Sequence, residues 1–207
     1  MIKIGYTLVP MSELFVFATF REAKKTLEFF NAKPVSDHLY QSDIGNILIC
    51  GVGLFEPLFR LHQIECSSIT NLGCAGGLCN TLKLFDLVEV SKVSLFLPDD
   101  LHHEEIKTTL EYTPPLPIQE KGKYLATSTY PIKTSQLKQR AKKYDLVDME
   151  GYSIAYFANK HDIPCKMLKV ISDFSDEGSV IKERLEQVSL VLCEFLKKNL
   201  SKKNSLR

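Results

Sequence analysis

Several stretches of this chain place apolar residues at consecutive positions: Asn46 to Gly51 reads Asn-Ile-Leu-Ile-Cys-Gly, and Lys166 to Ile171 reads Lys-Met-Leu-Lys-Val-Ile. A strand with one face in water alternates apolar and polar residues, so runs with adjacent apolar residues belong to a sheet covered on both faces. Segments of helical period lie between the runs, and that alternation defines an α/β domain. Strands are expected at Ile2 to Val9, Asn46 to Gly51, Ser68 to Gly73, Leu87 to Leu97, Lys123 to Thr127, Asp145 to Met149 and Lys166 to Ile171. Helices are expected at Ser12 to Phe30, Glu56 to Ile64, Ser135 to Lys143 and Gly151 to His161. A final helix carries Ile181, Leu185, Val188, Leu192 and Phe195 three or four residues apart, which is one apolar stripe.

The 207 residues suffice for one domain, expected over residues 1–200, and nothing in the sequence repeats or reads as a flexible linker. Pro98, Pro114, Pro115 and Pro117 mark Leu97 to Lys123 as an excursion from the sheet. Basic residues number 26 against 25 acidic ones, but Lys197, Lys198, Lys202, Lys203 and Arg207 crowd the end of the chain, where residues 201–207 read as a basic tail. The body is therefore mildly acidic, which argues against a nucleic-acid groove. The cysteines at positions 50, 66, 74, 79, 165 and 193 form no Cys-x-x-Cys pair and have no matching histidine spacing. No metal site, no disulfide framework and a cytoplasmic setting are the expectations that follow. The opening residues lead to no small-residue cleavage site, so no signal peptide is expected. The charge-free run Cys66 to Leu82 is interrupted by glycines and polar residues, which argues against a membrane span.

Three familiar motifs fail on inspection. Gly51-Val52-Gly53 stands between a strand and a helix, as a dinucleotide fingerprint would, yet the third glycine position is Glu56, whose charge opposes a pyrophosphate. Gly73-Cys74-Ala75-Gly76-Gly77 lacks the glycine two residues before the cysteine that a nucleophile elbow requires. His102-His103-Glu104-Glu105 lacks a second histidine at the zinc-protease spacing, because position 107 is lysine.

A different constellation holds together. Glu13, Glu150 and Asp173 each stand where an expected strand gives way to a turn or helix, and the carboxyl ends of strands form the ligand crevice of α/β sheets. Each acid also has an ordinary reading: Glu13 and Glu150 as first-turn residues favoured by the helix dipole, Asp173 as a turn cap.

Around these acids, Val147-Asp148-Met149-Glu150-Gly151, then Ile163-Pro164, then Val170-Ile171-Ser172-Asp173 resemble the signature of the purine nucleoside phosphorylase and nucleosidase superfamily. Within it the likeness is greatest to methylthioadenosine/S-adenosylhomocysteine nucleosidases and futalosine hydrolases. Asn71 to Leu78 resembles their glycine-rich base-site strand end, and Ile4-Gly5 with Glu13 fits their opening strand and following acid. The resemblance implies a single three-layer α/β/α domain around a central mixed, mostly parallel sheet, with no cofactor and no metal. It also implies roles. Asp173 protonates the departing purine, Glu150 accepts hydrogen bonds from the ribose hydroxyls, and Met149 packs under the sugar. Glu13 activates the attacking water, Ser172 positions Asp173, and Cys74, Ala75 and Gly76 line the base site. Carboxylates suit this chemistry, because sugar–base cleavage passes through an oxocarbenium-like state. The pattern is broken at Cys74, where many relatives have Ser or Thr, at Lys169, where nucleosidases carry Arg, and at Val9-Pro10-Met11-Ser12, which replaces an acid-rich loop. Lysine cannot reproduce the two-pronged grip of arginine, so whatever that arginine does is altered here.

Phosphorylases of this fold carry an arginine two residues before the base-site glycine, where this chain has Asn71. A carboxylate beside the nucleophile repels phosphate but suits the activation of water, so hydrolysis is expected. The alternatives are a phosphorylase and a nucleoside-binding protein without turnover. Between futalosine-type substrates, hence menaquinone precursor synthesis, and methylthioadenosine, the Val9-Pro10 opening favours the former. A carboxylate-tailed substituent needs a cation at the pocket mouth, for which Lys133, Lys138 and Lys169 are the candidates. The resemblance further implies a homodimer that completes its pocket with the neighbour's loop.

Overall fold

The computed structural model describes residues 13–97, 107–108, 111–175 and 181–205. In chain order the elements are β1 (Glu13–Phe17), α1 (Phe20–Phe29), β2 (Lys33–Pro34), β3 (Leu39–Ser42), β4 (Gly45–Ile49), α2 (Phe55–Leu61), β5 (Ser68–Gly77) and β6 (Leu87–Leu95). They continue with β7 (Leu116–Pro117), β8 (Lys123–Thr127), α3 (Ser135–Arg140), β9 (Leu146–Asp148), α4 (Gly151–Lys160), β10 (Cys165–Asp173) and α5 (Ile181–Ser205).

The sheet is mixed, but it is not the open middle layer of a sandwich. Strand β10 pairs with both β5 and β6, so β5, β9, β8, β6 and β10 close into a barrel-like ring, from which β1, β4, β3 and β2 continue as a wing. Nor is it mostly parallel: among the described residues five strand pairings are parallel and five antiparallel. The parallel ladders of β10 on β5 and β5 on β1 run side by side and align the strand ends that build the site.

Successive strand residues serve different cores, which is why the sequence shows no alternation. Leu14, Val16, Leu48 and Ile69 pack with α2 and α4, while Phe15, Phe17, Ile47 and Ile49 pack with α1 and α5. This arrangement also corrects the expected helix over Ser12 to Phe30. Its apolar start, Leu14 to Phe17, is the buried strand β1, and the helix begins only after Thr19. Thr19 and Glu22 form a capping box, in which the Thr19 hydroxyl oxygen accepts from the Glu22 amide and the Glu22 carboxylate accepts from the Thr19 amide. The strand expected at Ile2 to Val9 lies outside the described residues, as does the His102 to Glu105 motif. At the other end, α5 continues to Ser205, so the boundary expected at residue 200 falls inside a helix.

Helix α5 lies along α1, where Val188, Leu192 and Leu196 meet Ala23 and Leu27 and the Ser189 hydroxyl oxygen accepts from the Lys25 amide at 2.9 Å. No helix among the described residues is long and apolar enough to cross a membrane. Because Leu192 is fully buried, Leu192→Ala is expected to lower unfolding free energy by about 2–5 kcal/mol, read as a shift in urea midpoint at unchanged slope.

Candidate active site

A cavity of about 250 Å³ opens where β1, β5 and β10 end and where β9 turns into α4. Its walls are largely apolar, with contributions from Tyr130, Ile132, Val147, Met149, Ile181 and Leu185. Four buried carboxyl groups line it: Glu22, Asp148, Glu150 and Asp173.

Asp173 is the last residue of β10. A register shift between Ile171 and Asp173 brings it opposite Gly76 of β5, as bulges near active sites commonly re-aim a side chain. One carboxylate oxygen accepts from the Ser172 hydroxyl and the other from the Ser175 amide, both at 2.7 Å. A Cβ at Gly76 would lie 2.5 Å from Ser175 Oγ and 3.3 Å from Asp173 Oδ1, so glycine is what lets this turn close over the strand. Arg184 of α5 donates to the Ser172 carbonyl at 2.8 Å and ties that helix to the strand end.

Glu150 sits at the start of α4 and accepts from the Gly53 amide at 3.0 Å. Burial, then repulsion by the neighbouring Asp148, push its carboxyl up to about 8. Asp148 itself is paired with Lys169, whose Nζ lies 2.8 Å from Asp148 Oδ2 with the lysine side chain 2% exposed. Burial alone would lower the Lys169 ammonium, but the Asp148 and Glu150 charges outweigh it and hold it above the ordinary range. The arginine position of the resemblance is thus filled by a lysine committed to an ion pair.

Glu22 was not among the residues singled out from the sequence. Its Oε2 accepts from the Thr19 amide at 2.9 Å and the Thr19 hydroxyl at 2.8 Å, and its Oε1 accepts from the Cys74 amide at 2.9 Å. Glu13, expected in this place, is elsewhere. It begins β1, accepts from the Thr70 hydroxyl at 3.0 Å, and lines a separate cavity at the opposite ends of β1, β5 and β10. The cause is the strand assignment: the acid that follows the central strand is the one after β1, and β1 ends at Phe17. The signal that marks it is Thr19-Phe20-Arg21-Glu22, a capping-box sequence that places Glu22 in the first turn of a helix.

The other expected residues, Met149, Glu150, Ser172, Asp173, Cys74, Ala75 and Gly76, all line the cavity. Burial, then the Glu22 carboxylate, push the Cys74 thiol well above its ordinary value, so it remains a thiol and not a nucleophile. Of the candidate cations, Lys133 lines the cavity with an exposed side chain, Lys169 is buried against Asp148, and Lys138 lies on α3. Among the described residues no group of three His, Cys, Asp or Glu side chains is placed to hold a metal ion.

The partly closed mixed sheet is a fold found among solved nucleosidases. The chain matches futalosine hydrolase of Helicobacter pylori, in a mutant form, over 93% of its own length and 99% of that chain, with a TM-score of 0.79 at 19% identity. It matches a mutant methylthioadenosine nucleosidase of Helicobacter pylori holding 5'-methylthioadenosine over 94% and 100% of the two chains, at TM-score 0.79 and 18% identity. For the corresponding Chlamydia trachomatis protein bound to methylthioadenosine the TM-score is 0.75 at 20% identity, covering 93% and 98%. At such identities the likeness is one of fold. No protein-family model matches the sequence, and no curated protein matches it either.

The high value at Glu150 has a consequence for stability. Between the ordinary value of 4.5 and about 8 the folded chain holds a proton there that the unfolded chain has lost, so unfolding free energy falls as pH rises. The contribution is complete below 4.5 and is lost as pH rises through about 8. Glu150→Gln is expected to remove this slope, which thermal melts of the two proteins across that pH range will show.

Proposed function

We propose that the protein hydrolyses the N-glycosidic bond of a 5'-substituted purine nucleoside. The observation that supports this most is the convergence of Glu22, Glu150 and Asp173 on one cavity with apolar walls. Asp173 protonates the leaving purine, with Ser172 fixing its carboxyl. Glu150 accepts from the ribose hydroxyls above Met149. Glu22 takes the part that the resemblance gives to the first acid, orienting and deprotonating the attacking water. Its rigid anchoring by Thr19 and Cys74 suits that part, because a base must be held within hydrogen-bond reach of the proton it takes.

Water is favoured over phosphate on two grounds. A dianion would meet the Glu22 carboxylate, and no arginine is among the described residues lining the cavity. Asn71, at the phosphorylase arginine position, is buried within the sheet, with its amide donating to the Val16 carbonyl at 3.1 Å.

For the substituent, futalosine or aminofutalosine is the reading carried forward, with cytoplasmic menaquinone precursor synthesis as its setting. Lys133 supports it by placing a cation on the cavity wall for a carboxylate tail. The solved structures of this fold with methylthioadenosine make that nucleoside the second reading. The test compares aminofutalosine, futalosine and methylthioadenosine by kcat/KM, which measures differential transition-state binding. Free purine and free sugar are expected without dependence on phosphate, and a ribose 1-phosphate product would refute hydrolysis. Asp173→Asn, Glu150→Gln and Glu22→Gln should each lower turnover at least about 100-fold, while Glu13→Gln should stay near native.

A homodimer belongs to the same proposal. Phe55 and Phe59 of α2 are 83% and 67% exposed, and Val52, 53% exposed, lies on the cavity wall beside that helix. An apolar patch of this kind next to a substrate cavity suits a second copy that closes it. Light scattering is expected to show a dimer for the native chain and a monomer for Phe59→Glu, with the monomer impaired in turnover.

A further inference from the structure

An α-helix begins with amide groups that have no partner inside the helix, and the side chain at the N-cap commonly takes them when it is Ser, Thr, Asp or Asn. Helix α4 departs from this habit. Glu150 occupies its N-cap with φ −127° and ψ −29°, yet makes no side-chain bond to its own helix. Two other residues take those amides instead. Asp148 Oδ2 accepts from the Gly151 amide at 2.9 Å, and Thr127 Oγ1 accepts from the Tyr152 amide at 2.8 Å. The Thr127 hydroxyl in turn donates to Asp148 Oδ1 at 2.7 Å, and Lys169 balances the Asp148 charge from 2.8 Å. All three side chains are buried. Gly151 allows the close approach, since a Cβ there would lie 2.8 Å from Asp148 Oδ2. Relieved of the cap, the Glu150 carboxylate is held on its other side by the Gly53 amide and faces the cavity.

We propose that Asp148 and Thr127, with Lys169 balancing the Asp148 charge, are positioning residues that cap α4 in place of Glu150 and thereby keep the Glu150 carboxyl in the cavity for the ribose hydroxyls. This rests on the reading that Glu150 binds the ribose. Without the substitute cap, the acid nearest the exposed amides is Glu150 itself. Those unpaired amides take its carboxyl oxygen as their acceptor and draw it out of the cavity. Recognition of the ribose hydroxyls is then lost, while recognition of the base is kept.

The test separates those two parts of the ligand. In an Asp173→Asn background, which slows turnover, adenosine and inosine and their 2',3'-dideoxy counterparts are titrated calorimetrically above pH 8, where Glu150 is ionised. The background protein should prefer the ribonucleoside by at least about tenfold, the worth of a hydrogen bond to a charged group. Adding Glu150→Gln should remove most of that preference. Thr127→Val and Asp148→Asn should each do the same while leaving dideoxynucleoside affinity within about twofold, and Thr127→Val added to Glu150→Gln should change nothing further. Thr127→Val is nearly isosteric and serves if Asp148→Asn does not fold. If Glu150→Gln abolishes the preference but Thr127→Val and Asp148→Asn keep it, or weaken both ligand types equally, the positioning role is wrong. If Glu150→Gln itself leaves the preference intact, the ribose reading of Glu150 falls, and the inference with it.

Discussion

The ion pair between Lys169 and Asp148 is the contact on which this site depends. Asp148, Glu150 and Glu22 are each less than a tenth exposed, and Lys169 is the buried cation among them. Burying a carboxylate without compensation costs several kcal/mol, and removing one partner of a buried pair leaves the other stranded. The compensation here is uneven. Asp148 has Lys169, the Thr127 hydroxyl and the Gly151 amide, and Glu22 has two amides and a hydroxyl. Glu150 has the Gly53 amide. The least compensated of the three is the one whose carboxyl is pushed up to about 8, as the distribution of donors requires. That spare capacity to accept is what a ligand with two adjacent hydroxyls would fill.

Geometry brings these groups together through the sheet. Lys169 pairs with Gly73 in the parallel ladder of β10 on β5, and a Cβ at Gly73 would lie 3.1 Å from Glu22 Oε1 and 3.6 Å from Lys169 Nζ. The missing side chain at Gly73 is therefore the space in which a helix-borne acid and a strand-borne cation approach each other. At Gly76, three residues further on, the space admits the turn that carries Asp173. The glycine-rich strand end thus acts by volume at both positions, and neither glycine has a positive φ.

Much of the fold was legible because two-sided burial writes itself as consecutive apolar residues. The strands β4, β5, β6, β8, β9 and β10 lie where such runs stand, within a few residues at each end. Leu14 to Phe17 carries the same mark but runs straight on into the helical Phe20 to Phe29, so the acid that follows this strand is Glu22 and not Glu13. Local chemistry held the remedy in the Thr19 to Glu22 capping box. Ring closure had no such mark. It depends on β10 pairing with β5 on one edge and β6 on the other, contacts spanning some 80 to 100 residues that no local pattern encodes. The roles of Asp148 and Thr127 were equally hidden, since they act on a helix start through side chains from two different strands.

The Gly51-Val52-Gly53 turn shows how a motif can fail at one task and serve another. A dinucleotide loop offers its amides to phosphate, and Glu56 makes that untenable. Yet Gly51 and Gly53 have φ of +84° and +97°, where residues with a side chain are strained, and a Cβ at Gly51 would lie 2.8 Å from Glu56 Cβ. The backbone so shaped turns the Gly53 amide onto Glu150 at 3.0 Å. The amide is thus spent on a carboxylate of the protein instead of an anionic ligand. That amide is not left over for an anionic ligand, because the acceptor it faces is already part of the fold.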